Sequence, residues 1–524
     1  MRFFNTAGPC RPDRHYMVPA AERLPDARRI IDQGGYFVVH APRQTGKTTT
    51  LRALARELLT EGRYAVLHAS CEEGEPAGDD FAQAQRAVLT SIRLAAEQAL
   101  PPELLPPPWP SGEDTTRFRL GLTAWAQACP RPLVLFLDEI DALRGEGLRS
   151  VLRQLRAGYD GRPEHFPWSI VLCGLRDVRD YKIASGGDPN RIGSASPFNI
   201  KVASKRLTNF DEEDVRALYE QHTADTGQPL EDGAIQRVIA LTSGQPWLVN
   251  ALAREVIEEM GVAPPAPITA AHVEQAKERL ILARATHLDS LVSKLHEPRV
   301  RKIIEPILAG SMGGVDATYS DDVSYVRDLG LVEERPLRIA NPIYREVIAR
   351  VLAAPIEDRV IAEPRSFLLP DGRLDMDLLL REFAEFWRQH AEVLESGLVY
   401  HEVAPQLVLM AYLQRIVNGG GYVDREYGVG RGRIDLCVRM PFTGPDGKRA
   451  IQREALELKV WAPGRPDPLA QGLSQLEGYL DRLGLDRGVL VLFDRRPEAG
   501  SSEERTRFEQ ARTEKGYAVT VLRA

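Results

Sequence analysis

A chain of 524 residues with 43% hydrophobic and 27% charged side chains has the make-up of a globular protein and the length for three or four domains of roughly 100–200 residues each. A net charge of −7 excludes a basic field over the whole surface and leaves only a local basic cleft for nucleic acid. The five cysteines (Cys10, Cys71, Cys129, Cys173, Cys437) are odd in number and lack metal-type spacing, so they read as reduced thiols. The N-terminal stretch MRFFNTAGPCRPDRHY has no apolar core of the kind a secretory signal needs. No apolar run approaches the roughly 20 residues of a membrane helix, so the expectation is a soluble, cytoplasmic protein with no membrane partner.

In chain order, residues 1–35 hold a short helical stretch, Ala20 to Asp32. Tyr16 lies where a segment ahead of a phosphate loop can contact a base, and is equally readable as a packed aromatic. Tyr36 to Val39 is an apolar strand that runs into Ala41, Pro42, Arg43, Gln44, Thr45, Gly46, Lys47, Thr48 and Thr49, and then into a helical pattern, Leu51 to Leu59. Strand, loop and helix in this order wrap backbone N–H groups around a β-phosphate at the positive end of the helix. The loop fits GxxxxGK[ST] except that Ala41 stands where the first glycine is expected. Lys47 is expected to reach the β/γ-phosphates and the Thr48 hydroxyl to help hold Mg²⁺.

A second strand, Tyr64 to Ser70, and helices at 80–100 and 114–128 follow, the helices separated by a rigid proline-rich loop. The next strand is an apolar run from Leu133 that ends in Asp138 and Glu139, the pattern of a buried parallel strand delivering charge to its C-terminal edge. Asp138 is assigned to the Mg²⁺ shell, and Glu139 to orienting and deprotonating the attacking water. Phosphoryl transfer asks for little beyond such positioning and charge compensation. Trp168 to Gly174 reads as a fourth strand, followed by a long basic loop rich in Gly and Ser.

The order of phosphate-loop strand, extra strand, Asp-Glu strand and further strand resembles that of AAA-type ATPases. The resemblance implies ATP as the nucleotide, a helical lid, and a homo-oligomer, because such sites often lie between subunits. Residues 1–207 are assigned to the P-loop core and 208–295 to the lid, with helices at Asp211–Ala224, Glu231–Leu241, Pro246–Met260 and Ala270–Lys294. SPFNIKVASKRLTNF and TSGQPWLVNAL look like the join to that lid. AAA proteins usually end the fourth strand with Asn, Ser or Thr to sense the γ-phosphate; here the candidates are Cys173 and then Arg176. No arginine finger is identified: Arg176, Arg179 and Arg191 are candidates, and each reads more simply as a solvated loop arginine.

Residues 296–355 look like a winged helix. Its candidate recognition helix, Ser320 to Leu329, carries three Asp and one Arg, which would repel a phosphate backbone and favours an interdomain or regulatory role. A linker and a helix, Leu374 to Glu395, occupy 356–397.

Residues 398–524 carry a second chemistry. A helix, Tyr400 to Val417, includes Glu402 near its start. GGGYVDREYGVG leads to GRIDL with Asp435, and a turn returns the chain through Glu457, Lys459 and Trp461 as a hairpin. Alternation puts Glu457 and Lys459 on one face and Leu456, Leu458 and Val460 on the other. Two carboxylates on adjacent strands beside a lysine make a plausible Mg²⁺ site with a group to position water or stabilise charge. Asp435 in GRIDL, Glu457 and Lys459 in ELK, Glu402 upstream, and Gln475 and Tyr479 in QGLSQLEGYL resemble the PD-(D/E)XK nuclease superfamily. The resemblance implies that Asp435, Glu457 and Glu402 bind Mg²⁺, or Mn²⁺ in its place, to cut a phosphodiester. Gln475 and Tyr479 are open to a simpler reading as a packed helix face. This segment has 19 basic and 17 acidic groups, a balance of +2 against −9 for the rest.

The fold class expected is thus α/β and multidomain: a P-loop NTPase parallel sheet with helical lid, a winged-helix-like domain and a C-terminal α/β PD-(D/E)XK nuclease-like domain. The function expected is an ATP-hydrolysing regulator coupled to a metal-dependent endonuclease with DNA as the favoured nucleic acid. Phage defence or mobile-element biology enters from resemblance alone. The alternatives are an ATP-driven switch or scaffold whose nuclease-like domain binds nucleic acid without cutting, and an ATPase acting on a protein partner.

Overall fold

The structure is a computed structural model and describes residues 2–19, 21–175, 200–283, 286–309, 320–334, 336–357, 367–397, 404–417, 421–429, 432–444, 447–461 and 463–524. Glu402, Arg176, Arg179 and Arg191 lie outside the described residues. The chain divides into two compact units, residues 1–291 with 317–343, and residues 292–316 with 344–524. Residues of the expected winged-helix block, 296–355, fall in both units.

The first unit is built on the apolar runs seen in the sequence. Helix α1 (Pro25–Asp32) leads to β1 (Tyr36–His40), α2 (Lys47–Thr60), β2 (Ala65–Ser70), α3 (Phe81–Ala99), α4 (Arg117–Ala128), β3 (Leu133–Asp138), α5 (Gly145–Gly158), β4 (Ser169–Gly174) and β5 (Lys201–Arg206). The five strands form one parallel sheet in the order β2-β3-β4-β1-β5. Beneath the unbroken apolar runs lies a period of two. Phe37, Val39, Val66, Val134, Phe136, Val171 and Cys173 meet α1 and α2 on one face, whereas Tyr36, Val38, Leu67, Leu135, Leu137 and Leu172 meet α3, α4 and α5 on the other.

Strand β5 is an addition to the sequence reading, which gave its residues to the join with the lid. As an edge strand carrying Lys201, Lys205 and Arg206 it is only partly buried, so no apolar run betrays it. The lid region folds as α6 (Glu212–Thr226), α7 (Asp232–Thr242), α8 (Pro246–Arg254), α9 (Ala270–Leu282) and α10 (Thr286–Lys294). Helix α6 opens with a capping box made by Asp211 and Asp214 and closes on Gly227 in the left-handed conformation. The expected Pro246–Met260 helix turns into a π-helical turn over Glu255–Glu259. Tyr16 both packs in the core and lines the cavity at the phosphate loop. Its ring is buried against Phe4 and His222, and its hydroxyl lies 3.3 Å from His222 Nδ1. Helix α11 (Pro298–Ala309) belongs to the second unit; α12 (Asp321–Asp328) with the antiparallel pair β6 (Val332–Glu334) and β7 (Leu337–Ile339) belongs to the first. Between α12 and β6, Gly330 adopts φ +79°, and a Cβ there would lie 2.7 Å from the Pro42 side chain of the phosphate loop.

In the second unit α13 (Pro342–Glu357), α14 (Met376–Gly397) and α15 (Ala404–Val417) precede β8 (Tyr422–Val429), β9 (Gly432–Thr443), β10 (Arg449–Trp461), α16 (Leu469–Leu483), β11 (Arg487–Asp494), α17 (Ser502–Arg505), β12 (Arg507–Arg512) and β13 (Ala518–Arg523). Six strands run in the order β12-β13-β11-β10-β9-β8. The first three, β8, β9 and β10, form an antiparallel meander. Helix α16 then crosses over to β11, which pairs parallel with β10. The β9–β10 hairpin is the expected one, while β8, β11, β12 and β13 were not anticipated. Leu476 and Leu480 of α16 pack on Ala455, Leu490 and Leu492, and Trp387 of α14 packs on Phe493 with ring centroids 5.3 Å apart. Among the described residues no helix is long and apolar enough to cross a membrane.

Candidate functional site

The phosphate loop turns on two left-handed residues, Gln44 at φ 58° and Gly46 at φ 87°. Gly46 caps α2 without a side-chain hydrogen bond, so the N-cap residue itself leaves the amides of the first helical turn to another acceptor. A Cβ on Gly46 would lie 2.9 Å from Arg23, whose guanidinium donates to the carbonyls of Thr45, in the loop, and Thr208, where the lid begins. Burial pushes the Arg23 pKa down to about 10. The other left-handed non-glycine residues described are Glu139 and Ser243, so Ala41 has no need of glycine's freedom. Its methyl is instead buried in the core between the sheet and α2.

Lys47 Nζ donates to the carbonyls of Ala41 at 2.7 Å and Pro42 at 2.8 Å, and burial lowers its pKa. The Thr48 hydroxyl donates to Asp138 Oδ2 at 2.7 Å, joining loop and acidic strand as their expected shared role requires. The Thr49 hydroxyl accepts from the backbone N–H of Cys10 at 3.0 Å, and Thr45 donates to the Pro42 carbonyl at 2.9 Å. Burial works to raise the Asp138 pKa. Hydrogen bonds from His68, Thr48 and Cys173 outweigh it and hold the carboxyl down at about 2. Cys173 is fully buried, and that burial raises its pKa well above a free thiol, leaving a neutral donor at the end of β4. Glu139 accepts from the Ser70 hydroxyl at 2.7 Å and sits at φ 54°, a backbone strain of about 1–3 kcal/mol of the sort stored at working sites.

His68 and Ser70 are the residues the sequence reading missed. Both lie on β2, with Ser70 opposite Asp138, and the one signal was two polar residues in alternation at the end of an apolar strand. A cavity of about 770 Å³ takes in Lys47, Thr48, Asp138, Glu139 and Arg43, and reaches Trp247 at the start of α8. That volume and donor set fit a nucleoside triphosphate with Mg²⁺.

Residues 22–160 match the family model described as the AAA ATPase domain. This is an AAA ATPase domain. ATP is accordingly its nucleotide. None of the curated proteins matches the chain. Among solved structures, the Walker-type ATPase PABY2304 of Pyrococcus abyssi is similar at 13% identity, over 66% of this chain and 99% of that one, with a TM-score of 0.47. The RuvB Holliday junction branch migration motor of Thermotoga maritima follows at 16% identity, 62% and 92% coverage and a TM-score of 0.34. Orc1 of Aeropyrum pernix, in complex with DNA, stands at 14%, 66% and 95%, and 0.34. Resemblances this loose carry no functional conclusion.

Outside the AAA domain, the second unit brings Asp435, Glu457 and Lys459 together. Asp435 of β9 accepts the Leu458 amide at Oδ2, 2.9 Å away, and Lys459 Nζ donates to Glu457 Oε1 at 2.6 Å. Glu457 and Lys459 pair in register with Leu490 and Leu492, and so share the face that α16 covers. Glu457 is 2% exposed. Its Oε2 is buried with no hydrogen-bond partner among the described residues. Burial, aided by the Asp435 charge and opposed by Lys459, pushes its pKa up to about 7. An orphaned carboxylate oxygen beside a second carboxylate fits a cation. Among the described residues no group of three or more metal-ligating side chains assembles there. Tyr479 packs into the α16 core and Gln475 is exposed on the same helix.

Proposed function

We propose that the chain is an ATP-hydrolysing regulator coupled to a metal-dependent DNA endonuclease, acting in the cytoplasm. The buried oxygen of Glu457 that has no partner among the described residues, beside Asp435 and Lys459, carries the nuclease half of this reading. Its setting supports it further. A three-stranded antiparallel meander, a crossover helix and a fourth strand parallel to the third put both carboxylates on neighbouring strands. The domain scheme that goes with it is an AAA core over 1–207, a lid over 208–295, a winged-helix-like segment over 296–355, a linker and helix over 356–397 and a nuclease-like domain over 398–524. Bound Mg²⁺, or Mn²⁺ at the second site, would supply charge compensation for phosphoryl and phosphodiester groups.

At the first site Lys47 exchanges its two loop carbonyls for phosphate oxygens, Thr48 and Asp138 hold the cation, and Glu139 orients the attacking water and takes its proton. The Ser70 hydroxyl competes for Glu139. Ser70→Ala is expected to raise basal ATP turnover on the order of fivefold, the worth of about 1 kcal/mol for one hydrogen bond. An unchanged or lowered turnover would count against that restraint. At the second site Asp435 and Glu457 would hold the cation, and the resemblance alone assigns Glu402 to it. Lys459 neutralises charge developing on the cleaved phosphate.

The test is cleavage of plasmid and single-stranded DNA by the full chain with Mg²⁺ or Mn²⁺, with and without ATP. Cutting should require metal and vanish in Lys459→Ala, Asp435→Ala and Glu457→Ala, and Lys47→Ala should abolish its response to ATP. Salt-sensitive DNA binding without cutting in any lane would instead favour a switch that binds nucleic acid.

A further inference from the structure

His68 occupies an odd place for an imidazole. It lies on β2 one alternation after Val66, on the sheet face packed by α2, and its side chain is only 9% exposed. Burying a polar ring is unfavourable unless it is bonded, and the partner here is Asp138, with Nε2 3.1 Å from Oδ2. The Asp138 carboxylate accepts from the Thr48 hydroxyl and from the Glu139 amide, so Nε2 facing the same carboxylate is assigned as the N–H donor. The carboxylate is thereby clamped through both oxygens. Thr48 and His68 share Oδ2, while the Glu139 amide, 3.0 Å away, takes Oδ1.

These donors are not equivalent. The Thr48 hydroxyl is also the group the phosphate-loop motif sends to the cation, and the Glu139 amide belongs to a strained turn. His68 has neither duty and comes from β2, on the side of β3 opposite Cys173 of β4, the remaining donor. We infer that His68 is a positioning residue of the nucleotide site, whose imidazole holds the Asp138 carboxylate in the orientation that receives nucleotide-associated Mg²⁺. The inference rests on the ATPase reading of the site and adds a residue to it. Outer-shell partners of this kind change metal affinity about 10–100-fold when removed.

The experiment measures binding of a non-hydrolysable ATP analogue to the full chain, first in EDTA and then across a Mg²⁺ titration. His68→Ala should leave analogue affinity in EDTA within about twofold of wild type and raise the half-saturating Mg²⁺ concentration about tenfold. His68→Gln, whose side-chain amide can reach the place of Nε2, should recover most of that loss. A merely structural role would lower affinity equally in EDTA and would not be rescued by Gln. Wild-type Mg²⁺ dependence in His68→Ala overturns the role of His68 while leaving the ATPase reading intact. Absence of Mg²⁺-dependent analogue binding in wild type overturns that reading, and His68's role with it. Should His68→Ala fail to fold, His68→Gln is compared with the shorter His68→Asn, and equal Mg²⁺ dependence in those two overturns the role.

Discussion

Lys47→Ala is expected to lower ATP turnover about a thousandfold, the upper range for removal of one donor to charge that develops in the transition state. The side chain has no exposed alternative role. It is tied to the Ala41 and Pro42 carbonyls at the mouth of the loop, beside the Thr48–Asp138 bond. Its loss leaves two loop carbonyls without that donor, at about 1–3 kcal/mol of local stability, so the variant should fold and fail at binding. Glu139→Gln should separate the two steps. The amide can keep an acceptor for Ser70 but cannot take a proton from water, so analogue binding should stay near wild type while turnover falls at least a hundredfold. Asp138→Ala should lose turnover as well, since it strips Thr48 and His68 of their common partner. Normal turnover in all three variants would sink the assignment of these residues to ATP hydrolysis.

How far the site was legible in the sequence depends on where each residue's signal comes from. Lys47, Thr48, Asp138 and Glu139 announce themselves because a phosphate loop constrains residue type at fixed spacing, and apolar runs mark β1, β3 and β4 as buried. The departure at Ala41 also becomes intelligible, since the chain passes that point without a left-handed turn. His68 and Ser70 were hidden because their meaning depends on β2 lying beside β3, and pairing between strands about 70 residues apart leaves no local mark. Edge strands failed for a different reason. Lys201, Lys205 and Arg206 of β5, and the alternately exposed β12, have partly solvated faces and so lack the apolar pattern that identified the central strands. In the second unit Asp435, Glu457 and Lys459 were placed together from alternation and the hairpin turn alone, both local properties. The electrostatic condition of Glu457 was beyond reach of the sequence, because it comes from α16 covering the face on which Glu457 lies.

That condition yields the other large effect. Glu457→Gln should make the second unit more stable at pH 8, by on the order of 2 kcal/mol, and no more stable near pH 4.5. In the folded chain the Glu457 pKa is raised from 4.5 to about 7. Between those values the native state keeps a proton that the unfolded chain has released. The native state therefore binds more protons, and unfolding free energy falls as pH rises through this window. The stability is fully present below the unfolded pKa and lost once pH passes the folded one. Glutamine mimics the protonated acid at every pH and escapes the loss, at the expense of a charged partner for Lys459. Calorimetric transitions of the full chain at the two pH values measure the difference. A divalent cation should invert the ranking. Mg²⁺ at pH 8 should raise the wild-type transition and leave Glu457→Gln where it was, with a weaker wild-type response at pH 5.5, where the proton competes for the same oxygen. Equal melting of the two proteins at both pH values would remove the strained carboxylate, and an equal response to Mg²⁺ would remove the cation from Glu457. A carboxylate held at this disadvantage, with one oxygen buried and unbonded, gains from a cation what it loses to burial.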